Sequence, residues 1–388
     1  NSIGGSNPPA SAKTKRDDFM SSPFCIMIPK MTHAFEQPIP EDNEKIAIDP
    51  KKEERYEPGE YQVDISESEA RKDIEKNFPE FKDKKIEYLS EGMGSTAFVV
   101  NEEIIFRFAK NEKADASIEK ENRVLHKVQA YVDLAIPNFE YRRKGPKGFN
   151  LIGYKKIAGR GLKKEDLISR EGEVNIGLTQ QLSKFFKQLH SIPITVAKEW
   201  GLEEKNFRSV YENELEDAKD YVYPLLKEKY PDDFQKIKEY IENLFSNYLS
   251  DPKNFEYNTP EHTPAVLHGD LEAEHIIFDE DSKNITGIID WGGIRIGDPD
   301  YDIFRPYSHF GKKFLSEFLK NYPHPNPDLL IQKVDFFFRA QMIHRVVRPV
   351  ILEDIEGINW HLPRLRKQAL GIGYWYDELK ENQTSNPK

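Results

Sequence analysis

The stretch 268-HGDLEAEHIIFDEDSKNITGIIDWGG-293 decides how this chain is read. Its two short apolar runs, Ile276–Phe278 and Ile285–Ile289, look like buried strands. Acids stand at their ends, at Asp270, Glu274, Asp279 and Asp290, with His268 and His275 among them. A buried strand end is a costly place for a carboxylate that has no partner. The turn DSKN (281–284) folds the two runs into a hairpin, which brings His275 and Asp290 to one edge and leaves Asp270 in the loop just before it.

That placement suits one kind of chemistry. His275 and Asp290 can bind Mg²⁺ together, with phosphate oxygens in the other coordination positions. Asp270 is placed to accept a proton from an attacking hydroxyl. One base, two metal ligands and phosphate-holding groups across a cleft are the parts of a phosphoryl-transfer site. Asp279 and Glu274 are left as turn and surface acids.

The rest of the chain sets bounds. With 388 residues it is long for a single core, so two lobes are expected. A hydrophobic share of 38% and an aromatic share of 12% allow a real interior. The net charge of −11 argues against general affinity for nucleic acid or an anionic membrane, and is compatible with a cationic partner. Cys25 is the only cysteine, which excludes an internal disulfide and permits a reducing cytoplasm. No apolar run nears the roughly 20 residues of a membrane span, and the opening NSIGGSNPPASAKTKRDD lacks the apolar core of a signal peptide. A cytoplasmic monomer with no membrane or nucleic-acid partner is expected.

Residues 1–65, rich in Pro, Ser, Lys and Glu, are expected to be extended or disordered, or else a packed arm. Ser66 is a plausible N-cap for a helix ending at Pro79. KKIEYLS, EGMGSTAFVVN and EEIIFRFAK then read as strand, glycine turn, strand, turn and strand. SIEKENRVLHKVQAYV (117–132) reads as a helix, and FNLIGYKKIAG (149–159) returns to a strand. From Gly161 helices dominate, at 175–192, 208–230 and 232–249 and again towards residue 380. The expected fold is α+β and bilobal: a small β-rich N-lobe over 66–157, a hinge near 154–158, and a larger helical C-lobe over 158–388.

Two further constellations lie in the N-lobe. Gly92 and Gly94 can bring backbone N–H groups close to phosphate oxygens, with Ser95 and Thr96 adding hydroxyls; an ordinary hairpin turn is the alternative. On the helix 117–131, Ile118, Leu125 and Val128 share a face, and Glu121 falls on that stripe or at its edge. A buried Glu121 needs a partner. Arg107, in the middle of IIFRFA, is the candidate, and it could also hold nucleotide phosphates.

HGDL, then His275, IIDW and GDPDYD resemble the aminoglycoside phosphotransferase family of kinase-like enzymes, closest to the branch that modifies the 2″-hydroxyl. The resemblance covers about residues 66–380, including LHSI at 189–192 and GYWYDEL near the C-terminus. It implies a protein-kinase-like fold, with ATP or GTP and Mg²⁺ as cofactors. Asp270 would be the catalytic base and Asp290 the main Mg²⁺ ligand. His275 would stand where many relatives have Asn, and Arg107 where these enzymes generally have Lys, with Glu121 as its helical partner. The chain at Lys155, Lys156 and Ile157 would pair with the purine through its backbone. Asp298 and Asp302 would brace the loop, and His268 would orient its backbone. HGD in place of HRD, IDW in place of DFG and the lack of an APE-like segment after Asp290 set the chain apart from protein kinases.

The resemblance implies a small-molecule acceptor, foremost a cationic aminoglycoside, with a macrolide or another hydroxylated metabolite as the alternative. A non-catalytic nucleotide-binding module is the reading from another class. Acids for a polycation are available at Glu353, Asp354, Glu356, Asp377 and Glu378, near Trp360, Trp375 and Tyr376. The same region carries Arg305, Arg339, His344, Arg345 and Arg348. These either pair with local acids or face solvent, or they line the cleft, in which case an anionic or neutral acceptor is favoured.

Overall fold

The computed structural model describes residues 63–92, 94–255 and 263–372. Residues 1–62 of the N-terminal segment, and the candidate substrate residues Trp375 and Asp377, lie outside the described residues.

The N-terminal part is a five-stranded antiparallel sheet between two helices. Helix α1 (Glu67–Asn77) starts at Ser66. The Ser66 hydroxyl accepts the Glu69 N–H at 3.3 Å, and the Glu69 carboxylate takes the Ser66 N–H at 2.9 Å. This reciprocal capping box satisfies two otherwise orphaned donors. Strands β1 (Ile86–Glu91), β2 (Ser95–Val100), β3 (Ile104–Ala109), β4 (Tyr141–Lys144) and β5 (Asn150–Lys155) are ordered β1-β2-β3-β5-β4. One face presents Phe98, Phe106 and Phe108, which pack with Ile74 and Phe78 of α1 and its end and with Phe81. The Phe106 ring lies 5.2 Å from Phe78 and 5.4 Å from Phe81, in the range of favourable ring pairs. Val63 and Ile65 belong to the same core, and the Val63 N–H donates to Lys110 O at 2.9 Å, so packed chain begins ahead of residue 66.

Helix α2 (Glu112–Val128) covers the other face. It begins five residues before the predicted stretch because Asn111 caps it, its side chain accepting the Ala114 N–H at 2.9 Å. Its buried stripe is Ala114, Ile118, Glu121, Val124, Leu125 and Val128.

After β5 the chain is held to the second part by short strands. The Thr286 hydroxyl donates to Ala158 O at 2.6 Å, and Ile157 packs against Gly287. Strand β6 (Arg160–Gly161) leads into helices α3 (Lys164–Leu167), α4 (Ile176–His190), α5 (Ile194–Glu199) and α6 (Phe207–Asp217). A π-helical turn (Ala218–Val222) joins α6 to α7 (Tyr223–Lys229), followed by α8 (Phe234–Ser250). Strand β7 (Ala265–Leu267) pairs with β10 (Arg295–Gly297), and β8 (Ile276–Asp279) with β9 (Asn284–Ile288) and β6. The hairpin read from the sequence is therefore present, with Ile276 opposite Ile288. Helices α9 (Pro299–Leu319), α10 (Pro327–Ile351) and α11 (Ile355–Leu370) complete the chain. No helix among the described residues is long and apolar enough to cross a membrane.

The junction of β10 and α9 is held by a fully buried ammonium. Lys333 Nζ lies 2.5 Å from Asp298 Oδ2 and 2.7 Å from Asp300 Oδ2, and His324 Nε2 lies 2.9 Å from Asp300 Oδ1. Burial works against both charges, but Lys333 and His324 together hold the Asp300 carboxyl well below its usual 3.8. The two aspartates likewise hold the Lys333 ammonium up against its burial. Removing one side of such a pair leaves buried charge uncompensated, at about 3–5 kcal/mol. Lys333→Met is therefore expected to lower the unfolding free energy by that order at neutral pH. Because the folded Asp300 pKa is depressed, its stabilisation is present above about pH 3.8 and is lost as pH falls towards the folded value. Denaturant titrations of both proteins should show the stability gap narrowing below that pH.

Candidate active site

The loop between β7 and β8 is fixed by its backbone. Asp302, buried in the first turn of α9, accepts the His268 N–H at 2.8 Å with Oδ2 and the Gly269 N–H at 2.7 Å with Oδ1. Gly269 has φ +81°, and a Cβ there would meet Gly293 O at 2.3 Å, so only glycine fits. His268 is fully buried. Burial pushes its imidazole pKa down against the charge of Asp302. The neutral ring donates from Nε2 to Ile289 O at 3.1 Å and accepts the Asp270 N–H on Nδ1 at 3.3 Å.

These contacts present Asp270 with its carboxylate half exposed. The Asp270 carbonyl accepts from His275 Nδ1–H at 2.7 Å, since a carbonyl can only accept. That sets the tautomer, leaving the lone pair on Nε2. His275 Nε2 lies 3.4 Å from Asp290 Oδ2, so the hairpin brings these two to one edge. Asp290 takes up a left-handed backbone, φ +61°, which aspartate tolerates better than most residues, ahead of the buried Trp291. Burial would raise the Asp290 carboxyl, but the charge of Arg107 leads the opposing effects and holds it below its ordinary value.

Above this edge, Glu121 is fully buried, and its Oε2 accepts from Arg107 Nη1 at 3.0 Å. Burial raises the Glu121 carboxyl, with Arg107 opposing. Arg107 Nη2 also reaches Asp290 Oδ1 at 4.0 Å. Next to Asp290, the Gly292 carbonyl accepts from Lys120 Nζ at 2.8 Å and Ser117 Oγ at 3.3 Å, tying α2 to the turn.

The other predicted contacts divide. Ser95 Oγ accepts from Arg107 Nε at 3.4 Å, on the sheet face of Arg107. Thr96, the next residue on β2, points to the opposite face, where its hydroxyl is buried with no hydrogen-bond partner among the described residues. Of the two, only Ser95 shares the side of Arg107. Gly92 and Gly94 flank the β1–β2 turn, with the Gly92 N–H on Ser95 O at 2.9 Å and the Lys110 N–H on Gly94 O at 3.0 Å. Lys155 ends β5 opposite Ile104, and the following Lys156 N–H donates to Glu103 O at 2.7 Å.

Of the substrate candidates, Asp354 caps α11, accepting the Gly357 N–H at 3.0 Å. Glu353 forms the turn before it at φ +53°, and Glu356 is exposed in its first turn. The Trp360 ring carries the Arg364 guanidinium 3.6 Å above its centre. The side chain that meets Asp270 comes instead from α9. Arg305 lies with Nη2 3.0 Å from Asp270 Oδ1, while its Nη1 and His309 Nε2 both bind Glu272. Burial would raise the Glu272 carboxyl, but the His309 hydrogen bond and the Arg305 charge pull it down to about 2. Nothing in the spacing signals these pairs, which join residues more than thirty positions apart. Arg339 instead pairs locally with Asp335 at 2.9 Å.

The model of the phosphotransferase enzyme family (APH) matches residues 85–326, more than half of the chain. The chain belongs to that family. Among solved structures, this phosphotransferase-family chain is similar to the GDP complex of aminoglycoside 2'-phosphotransferase-IIIa. The TM-score is 0.71 at 25% identity, covering 79% of this chain and 99% of that one. It is similar also to the GDP and kanamycin complex of APH(2")-IIIa, with TM-score 0.69 at 25% identity over 78% and 98% of the two chains. Viomycin phosphotransferase of Streptomyces vinaceus is 32% identical over 62 residues, 16% of this chain and 22% of that protein. The chain thus spans only about a fifth of the curated relatives it matches, 19% and 22% of their lengths.

Gly269→Ala is expected to destabilise the fold by about 1–3 kcal/mol through strain at its left-handed backbone, more if Gly293 cannot yield. Thermal and denaturant unfolding of the variant check this. An unchanged midpoint would contradict the tight loop geometry.

Proposed function

We propose that this phosphotransferase moves the γ-phosphate of a Mg²⁺-bound nucleotide to a hydroxyl of a small molecule. The observation that carries the reading is the edge on which Asp270, His275 Nε2 and Asp290 meet, with the Arg107–Glu121 pair beside it. Among the described residues no cluster of three or more His, Cys, Asp and Glu could hold a metal alone. Asp290 and His275 offer two donors. Mg²⁺ commonly takes one or two carboxylates and completes its shell with water and phosphate oxygens, so the set fits an ion that arrives with the nucleotide; the imidazole is the less usual donor. When bound, the ion would be held by Asp290 and His275 and would neutralise charge developing on the transferred phosphate.

The chain's own residues do the rest. Asp270 accepts the proton of the acceptor hydroxyl, with Arg305 holding the carboxylate in place. Arg107, anchored by Glu121, offers its planar guanidinium to the phosphates, and Ser95 and the backbone N–H of Gly94 add donors to them. Lys155 to Ile157 pair with the purine through backbone groups, which admits ATP or GTP. The likeness to a kanamycin complex makes an aminoglycoside the first acceptor to test, with a macrolide or another hydroxylated metabolite next.

Phosphate transfer from Mg²⁺–ATP and Mg²⁺–GTP to such a panel tests the reading. Asp270→Asn is expected to lower kcat by roughly 10²–10⁴-fold, the worth of a general base, while still binding nucleotide. Asp290→Asn is expected to lose Mg²⁺-dependent nucleotide binding. Full turnover in the first variant, or normal metal dependence in the second, would refute the assigned roles.

A further inference from the structure

The charges on the helical side of Asp270 are the reverse of what a polycation needs. Arg305 reaches the Asp270 carboxylate at 3.0 Å. Arg295, at the start of β10, flanks the same loop, with Nε donating to Gly293 O at 2.7 Å and Nη2 to Gly269 O at 3.4 Å. Residues 203–205 run beside β10, with the Lys205 N–H on Ile296 O at 2.9 Å and the Ile296 N–H on Glu203 O at 2.9 Å. Lys205 is thereby brought next to Arg295.

The third wall is α10. His344 and Arg348 are one turn apart on the same face. His344 is open to solvent yet closely surrounded. Crowding by the surrounding protein and the charges of Arg348, Arg305, Lys205 and Arg345 push its imidazole down to about 4. Lys205 is solvent-accessible, and crowding and Arg295 lower its ammonium to about 8.

Arg305 is offset by Asp270 and Glu272, but the neighbouring carboxylates among the described residues form no ion pair with Arg295, Lys205 or Arg348. Glu272 is already held by Arg305 and His309. Glu214, the acid that Lys205 feels, is buried, and burial with the charge of Asp217 raises its carboxyl to about 8. Among the described residues Lys205, Arg295 and Arg348 form no ion pair. The acids expected to greet a cation, Asp354 and Glu356, sit at the start of α11, where Asp354 is a helix cap.

Resting on the phosphotransferase reading, we propose that the acceptor is a hydroxylated small molecule carrying a carboxylate or phosphate. Arg295, Lys205 and Arg348 hold that anion while its hydroxyl faces Asp270, whose carboxylate Arg305 keeps in place. The nucleotide's own phosphates fall to Arg107 and the Asp290 edge. Like charges facing each other select against a partner, so this site selects against a polycationic aminoglycoside.

Calorimetric titration of the full chain, saturated with Mg²⁺ and a nucleoside diphosphate, tests this with D-gluconate, glycerol 3-phosphate and kanamycin as probes. At least one anion is expected to bind at millimolar concentration and more tightly than kanamycin. Lys205→Glu and Arg348→Glu should each weaken it roughly tenfold, the loss of one charge-assisted contact. Kanamycin binding more tightly than both anions, failure of both anions to bind, or anion affinity unmoved in both variants overturns the inference. Nucleotide binding, read in the same cell before any acceptor is added, reports separately on the phosphotransferase reading.

Discussion

A single buried carboxylate ties the site to the fold. Glu121 has no access to water, and one of its oxygens, Oε1, lacks a hydrogen-bond partner among the described residues. Its charge is tolerable only because Arg107 stands opposite, in the middle of β3. Ion pairs of this kind add little net stability over a well-packed apolar core, but breaking one is expensive. Their effect is geometric. With Arg107 fixed by Glu121, α2 has one register on the sheet, and the free side of the guanidinium lies at Asp290. Lys120 and Ser117 on the same helix then hold the Gly292 carbonyl just past Asp290. Sheet, helix and hairpin end are thereby set by one constraint.

The second half of the site follows similar logic with backbone groups. Asp302 takes two consecutive N–H groups, His268 takes a third, and His275 returns a donor to the Asp270 carbonyl. Each buried polar group is satisfied within the loop or by the helix beneath it, which is the condition for a rigid polar site. His190, from the end of α4, adds its Nε2 at 3.3 Å from Asp302 and its Nδ1 at 2.8 Å from Tyr322. Asp270 is left half exposed on a frame that cannot easily move, with Arg305 on its carboxylate and Arg295 on the carbonyl of Gly269 before it.

Much of this is legible in the residues. Ser66 and Glu69 announce a helix start by local chemistry, and the 3.6-residue period places Glu121 on a buried stripe. The β8–β9 hairpin follows from two apolar runs and a polar turn. What escapes is non-local or too short to carry a period. Strands β6, β7 and β10 have only two or three residues each. The partners of Asp298 and Asp300 come from Lys333, and those of Glu272 from Arg305 and His309, all more than thirty residues away except the nearest histidine of Asp300. Adjacency groups Thr96 with Ser95, although neighbours on a strand face opposite ways. Proximity in sequence to tryptophans singles out the acids near residue 354 for the substrate, but it says nothing about which side of a helix meets the cleft.

The most direct test of the account is the affinity for Mg²⁺–nucleotide of the Glu121→Gln protein, measured by calorimetry alongside a circular-dichroism check of folding. The substituted amide would occupy the same volume without the charge that anchors Arg107. The account predicts a folded protein whose nucleotide affinity falls roughly tenfold or more, the size of a lost charged contact. A folded protein with unchanged affinity would contradict it.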